Sequence, residues 1–344
     1  MIVQAIGKLA DGETLSQDEA SSVMEDIMEE RATPAQFGAY VTALRLKGET
    51  AEEIAGMAQV MRRKSLRVLT DLPVMDTCGT GGDGSGSFNV STAAALVAAA
   101  AGQPVAKHGN RGMSSQCGSA DVLEALGVDI SLGPDGVARC IERAGIGFMF
   151  AQAYHPAMKF AAPLRREIGI RTVFNILGPL TNPAGVRTQV LGVARREAQD
   201  RLAGALGLLG TTRALVVHGL EGLDELSIAG PSRILDVQHE RISEYEVHPE
   251  QFGLRTGRAE DVRGGDAATN AAIIRRVLGG KGSTGGATRG PQRDIVVLNA
   301  GAALVASGAV GDLKSGVQRA AEVVDSGAAL ATLDAFARAS QGRS

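Results

Sequence analysis

From Ile2 to about Leu69, apolar residues recur at helical spacing with acidic and Lys/Arg positions between them, as in SSVMEDIMEE and AEEIAGMAQVMRRK. This pattern predicts a set of amphipathic helices. Ser16 with Glu19 and Thr50 with Glu53 have the spacing at which a hydroxyl and a carboxylate satisfy the first free amides of a helix. Thr33 followed by Pro34 marks a third start, since proline is tolerated at the first helical position. After Pro73 the texture changes. Short apolar runs end in glycine-rich turns and lead into Ala/Leu-rich stretches: PVMDTCGTGG, then STAAALVAAAAG, then QPVAKHGNRG. Strands alternating with helices imply a mostly parallel central sheet. Further strands are expected at Ala214 to His218 and Asp294 to Leu298, and a helix at Met158 to Ile168. The proline-rich NILGPLTNP is a candidate hinge. The expected class is α/β: a small helical domain over 1–70, completed by helices within about 158–185, and a large α/β domain over 71–344.

Composition narrows the function classes. Aromatics make up 3% of the chain and tryptophan is missing, so platforms for stacking nucleobases are not expected. A formal net charge of -3 gives no basic face for nucleic acid or anionic lipid. The longest apolar run, Ala93 to Ala101, is about half of what a bilayer requires, so no membrane association is expected. Cys78, Cys117 and Cys140 show neither disulfide-framework nor zinc spacing, and the start MIVQAIGKLADGETLS lacks the features of an export signal. A cytoplasmic protein is expected. The stretch GGKGSTGGATRGPQ from Gly279 reads as a mobile surface loop.

Candidate chemistry begins at DTCGTGGDGSGSFNVST, residues 76–92. Gly79, Gly81 and Gly84 satisfy G-x-G-x-x-G between a strand and a helix. A dinucleotide fold also needs an acidic residue at the end of the next strand, and here that strand ends in Lys107 and His108. No Gly-Lys-Ser/Thr closes the run as in a Walker loop. What remains is a nest of backbone amides before a helix start, suited to an anion, with Ser87, Asn89, Ser91 and Thr92 supplying more polar groups than one cap requires. A plain strand-to-helix turn stays open on this loop alone. A second loop, KHGNRGMSS over 107–115, brings cations and glycines to the neighbouring strand end, and two such loops at one crevice fit a ligand with two phosphate groups.

GTGGDGSGSFNVST followed by KHGNR and GSADVLEALGV resembles the anthranilate phosphoribosyltransferase family, and the likeness continues through NILGPLTNP and the Asp224-Glu225 pair to LNAGAALV. The resemblance implies a nucleoside-phosphorylase-like fold, a homodimer, Mg2+ as cofactor, and phosphoribosyl pyrophosphate (PRPP) and anthranilate as substrates. By position, it implies PRPP contacts from Gly79, Gly82, Asp83, Ser87, Asn89, Val90, Ser91 and Thr92 on the first loop. On the second it implies Lys107, His108, Gly109, Asn110, Arg111, Gly112, Met113, Ser114, Ser115 and Ser119. Anthranilate would meet Gly79, Asn110 and Arg165; the metal would meet Ser91, Asp224 and Glu225. Ser87 stands where the family more often has Thr, and the hydroxyl is kept. No acid or base is assigned; His108 could line the aromatic pocket or donate a hydrogen bond, or serve only to order its loop. Taken without the resemblance, Arg165 and the acidic pair read first as surface charges.

Two other families fit parts of the pattern. A pyrimidine nucleoside phosphorylase would share the architecture, but it typically carries a Ser-Gly pairing where this chain has HGN after Lys107. A non-catalytic relative that binds nucleic acid would show a basic groove, which the charge does not supply.

Overall fold

The computed structural model describes residues 1–112, 115–280 and 289–343. Residues 281–288 of the expected surface loop, and Met113 and Ser114 of the second loop, lie outside the described residues. Four helices open the chain: α1 (Ile2–Ala10), α2 (Gln17–Met28), α3 (Pro34–Lys47) and α4 (Ala51–Lys64). The starts read from Ser16, Thr33 and Thr50 are all reciprocal caps. At Ser16 the Glu19 amide donates to the hydroxyl at 3.2 Å, and the Ser16 amide donates to the Glu19 carboxylate at 2.9 Å. Glu53 does more than cap α4. Fully buried, it also accepts the Leu15 amide at 2.9 Å and the Lys47 ammonium at 3.0 Å, tying the α1–α2 connection and the end of α3 to α4 through one carboxylate.

Seven strands follow: β1 (Met75–Gly79), β2 (Val105–Gly109), β3 (Ile146–Phe150), β4 (Thr188–Gly192), β5 (Arg213–Gly219), β6 (Ser232–Gln238) and β7 (Arg241–Val247). They form one sheet in the order β3-β2-β1-β4-β5-β6-β7. The first five are parallel, and β6 and β7 return antiparallel at the edge. Strand order reverses between β1 and β4, which opens a crevice beyond their carboxyl ends. Between the strands run α5 (Val90–Ala100), α6 (Ser119–Ala125), α7 (Pro134–Ala144), α8 (Ala151–Tyr154), α9 (Met158–Ile168), α10 (Phe174–Leu177) and α11 (Arg196–Leu208). After β7 come α12 (Ala267–Leu278), α13 (Pro291–Ala306), α14 (Leu313–Asp325) and α15 (Ala328–Ser340).

Alternate strand residues face opposite layers, as the pleat requires. Leu191, Val193, Ala214 and Val216 join α11 and the opening helices in one continuous core, to which α9 and α10 contribute Ala161, Phe174 and Leu177. Val190, Leu215 and Val217 face α5 and the last four helices. The strand expected at Asp294 to Leu298 is instead part of α13. The apolar run there continues buried from Ile295 to Ala306, too long for an ordinary strand and enclosed on all sides by α5, α14 and the sheet. A helix apolar all round carries no amphipathic period that would reveal it. Among the described residues, no helix is long and apolar enough to cross a membrane.

Candidate active site

The loop from Gly79 to Asn89 leaves β1 at the crevice. Gly81, Gly82, Gly84 and Gly86 have φ between 65° and 72°, which side chains rarely tolerate, so the loop can curl tightly only with glycine there. Gly79 and Gly192 are glycine for another reason. A Cβ on Gly79 would collide with the Asp224 carboxylate, and one on Gly192 with the Asp224 carbonyl. The absent side chains let the loop after β5 press onto the ends of β1 and β4. Gly81 then donates its amide to Asp224 Oδ2 at 2.7 Å, and Ser91, in the first turn of α5, donates its amide to Glu225 Oε1 at 3.0 Å. The acidic pair is thus drawn into the glycine loop from more than a hundred residues away.

Three carboxylates share this corner. Burial, then the charge of Asp83, pushes Asp224 up to about 7, and burial, then Asp224, holds Glu225 well above its ordinary range. Asp83 Oδ2 is buried and has no donor, because its neighbour is another carboxylate. Lys107 offsets part of this. Its buried ammonium donates to the Thr77 carbonyl and lies within electrostatic reach of Asp76 and Glu225, so it stands inside the sheet end rather than on the surface. Among the described residues, no three His, Cys, Asp or Glu side chains stand together as a ready metal cage. Magnesium does not need one: it takes one or two carboxylates and completes its shell with water and substrate phosphates. Crowded buried carboxylates with few cations nearby fit such an ion.

The polar residues at the start of α5 divide. Asn89 does not cap the helix; its amide nitrogen donates to the Cys117 carbonyl at 3.2 Å and its oxygen accepts from Asn270 at 2.9 Å, joining both loops to α12. Thr92 Oγ1 is buried without a partner. Val90 is buried in the core, and the Ser87 backbone forms an isolated antiparallel bridge with Arg263.

The second loop is tied by one residue. Asp121 Oδ2 accepts the amides of Gly112 and Gly118, each at 2.9 Å, and Asp121 Oδ1 accepts from Arg111 at 2.8 Å. Arg111 also pairs with Glu124 and lies over the Phe150 ring. The Ser119 hydroxyl donates to the Asn110 carbonyl at 3.4 Å, and Gly109 leaves room for that hydroxyl. Asn110 Oδ1 accepts the Arg111 amide at 2.8 Å, and Ser115 donates to the Cys117 carbonyl at 3.3 Å.

His108 faces His155 with ring centroids 5.1 Å apart, and the Nε2 atom of each is buried without a partner. Burial, then His155, pushes His108 down to about 3; burial pushes His155 down to about 4. Both rings are neutral near pH 7, and neither is a base of useful strength there. Arg165, on α9, sits 5.5 Å from the Phe174 ring centroid, and burial lowers its pKa. All three cysteines are free thiols.

Several supporting residues were not singled out from the sequence. Asp76 is buried beside Lys107 and accepts from Asn182 at 2.8 Å. Asn299 of α13 grips the chain just after the acidic pair: it accepts the Leu226 amide and donates to the Leu226 carbonyl, both at 2.9 Å. Asn182 and Asn299 stand in NILGPLTNP and LNAGAALV, and a polar residue inside an apolar run was the one available signal.

Family models for the glycosyl transferase family match over nearly the whole chain, the helical bundle domain over residues 3–65 and the a/b domain over 71–330. An anthranilate phosphoribosyltransferase from Chloroflexus aggregans is 59% identical over 306 residues, 89% of this chain and 88% of that protein. The chain belongs to the anthranilate phosphoribosyltransferase family. The anthranilate phosphoribosyltransferase of Dehalococcoides mccartyi is 54% identical over 309 residues, 89% of each chain. Among solved structures, anthranilate phosphoribosyltransferase from Thermus thermophilus superposes with a TM-score of 0.90 at 46% identity, covering 98% of this chain and 99% of its own. The Saccharomyces cerevisiae anthranilate phosphoribosyltransferase, solved in complex with PRPP and Mg, gives 0.89 at 29% identity, covering 99% and 98%.

Proposed function

We infer that the chain transfers the phosphoribosyl group of PRPP to the amine of anthranilate, releasing pyrophosphate, a step of tryptophan biosynthesis. The observation that carries this reading is the convergence of the glycine loop with Asp224 and Glu225 at the β1/β4 crevice. Asp224, Glu225 and Ser91 are the residues that would hold magnesium. When bound, the ion supplies positive charge to the pyrophosphate group.

Displacement at the anomeric carbon builds positive charge on the sugar ring and negative charge on the departing pyrophosphate, as in glycoside hydrolysis. Loop amides fixed by the glycine conformation, with the start of α5 behind them, supply preorganised charge stabilisation. Lys107 has its charge locked within the sheet end and contributes by field rather than by reach. Asn89, Ser91, Thr92 and the second loop would position the phosphorylated ribose, and Arg165, braced on Phe174, would pair with the anthranilate carboxylate. The neutral His108 and His155 would flank the aromatic ring without adding charge beside the amine. An arylamine is already a nucleophile, so the reaction needs no strong base, consistent with the low basicity of both rings. A homodimer working in the cytoplasm belongs to the same proposal and rests on the family resemblance and the free cysteines.

The test is to follow anthranilate fluorescence with PRPP and magnesium, with and without a chelator. Magnesium-dependent loss that Arg165→Ala slows mainly by raising the KM for anthranilate is expected. Persistent fluorescence with active PRPP present would assign the chain a different acceptor.

A further inference from the structure

Beside the glycine loop, on the side away from Glu225, lies a cavity of about 280 Å³ that takes no part in the chemistry proposed for the loop. Thr80, just after β1, and Val193 to Arg195, just after β4, form one wall, so the space opens where the strand order reverses. That is where open α/β sheets bind ligands. The opposite wall is the end of α3.

Five cationic side chains line it, Arg45, Lys47, Arg171, Arg195 and Arg201, against one carboxylate, Glu49. Two are answered within the protein: Lys47 pairs with Glu53 and Arg201 with Glu49, each at 3.0 Å. Three are not. Among the described residues, Arg45 donates to the Arg171 carbonyl, Arg171 donates to the Gly81 carbonyl at 3.2 Å, and the Arg195 side chain has neither hydrogen bond nor ion pair. Burial, then Arg195, pushes the Arg171 guanidinium down; Asp224 beyond the loop offsets part of this, and Arg45 adds to it. Three guanidinium groups held within reach of one another, with no carboxylate bonded to any of them, repel until an anion joins them. Guanidinium forks match phosphate oxygens in geometry. The 13-residue α11 starts at the same wall without a side-chain cap, adding the positive end of a helix.

We propose that this cavity is a second oxyanion site, taking phosphate or pyrophosphate between Arg45, Arg171 and Arg195, separate from the anion nest of the glycine loop. An occupant would join the helical layer, through α3, to the ends of β1 and β4. The site does not depend on which sugar phosphate the loop takes.

The full-length protein, free of magnesium, is titrated calorimetrically with inorganic phosphate and, separately, with pyrophosphate. The same titrations are run on Arg195→Glu, where the side chain is exposed and unpartnered, and on Arg45→Ala. Each variant is expected to bind one oxyanion fewer per chain than the parent, or to bind it at least about tenfold more weakly. If the glycine loop binds neither probe, the parent shows one site and the variants none, so failure of the reaction assignment leaves this outcome readable. Saturation of the lost site by phosphate alone makes free phosphate its ligand; saturation by pyrophosphate only makes it a station for the reaction product. Equal stoichiometry and affinity in parent and both variants overturns the proposal.

Discussion

Two clusters of like charge stand on either side of the Gly79–Asn89 loop, and they are built in opposite ways. Asp83, Asp224 and Glu225 are packed into the sheet end, where burial and mutual repulsion raise the pKa of the last two. Arg45, Arg171 and Arg195 surround an open space, and Arg45 and Arg195 are largely exposed. Water screens the second cluster but not the first. Buried repulsion costs stability and is retained only where a cation is recruited, whereas exposed repulsion costs little and can wait for a ligand. Arg171 links the two, donating to the Gly81 carbonyl while the Gly81 amide donates to Asp224.

The sharpest way to break this contrast is Asp224→Asn with Glu225→Gln. Magnesium-supported turnover should fall at least about 100-fold, while the melting temperature in calorimetry rises by a few degrees as the buried repulsion disappears. A lower melting temperature would mean that the carboxylates stabilise the corner. Next in size is Asn299→Leu, which strips both hydrogen bonds from the Leu226 backbone. Unfolding in urea should show a loss of about 2–3 kcal/mol, and half-maximal activity should require more magnesium. The uncharged histidine pair offers a third comparison. His108 and His155 have folded pKa values below the ordinary 6.5, so the unfolded chain binds more protons as pH falls below that value. Stability present above pH 6.5 should decline toward the folded values, by about 2 kcal/mol per histidine at pH 5, and His155→Gln should flatten the profile. The smallest effect is expected at the open cluster: in phosphate-free buffer, Arg195→Ala should change unfolding free energy by no more than about 0.5 kcal/mol.

What could be read in the sequence was local. The caps at Ser16, Thr33 and Thr50 are legible because donor and acceptor lie three residues apart. The glycine loop was legible because four residues of positive φ leave glycine as nearly the sole choice. α13 was misread because an enclosed helix and a buried strand present the same unbroken apolar run. Asp76, Asn182 and Asn299 passed without a role because their partners lie far along the chain and only the folded sheet brings them together. Arg111, expected as a phosphate clamp, rests on Asp121 and Glu124, so it must leave two carboxylates before it could reach a ligand.

Gly79 and Gly192 carry a consequence for anyone who would redesign the acceptor. Neither has a side chain to exchange, yet the acidic loop is seated against both. In a saturation library these two positions should reject even alanine. The contact of the acidic loop with the two strand ends is therefore inherited as a fixed dimension, and variation in substrate preference has to be sought on the α9 and histidine side of the crevice.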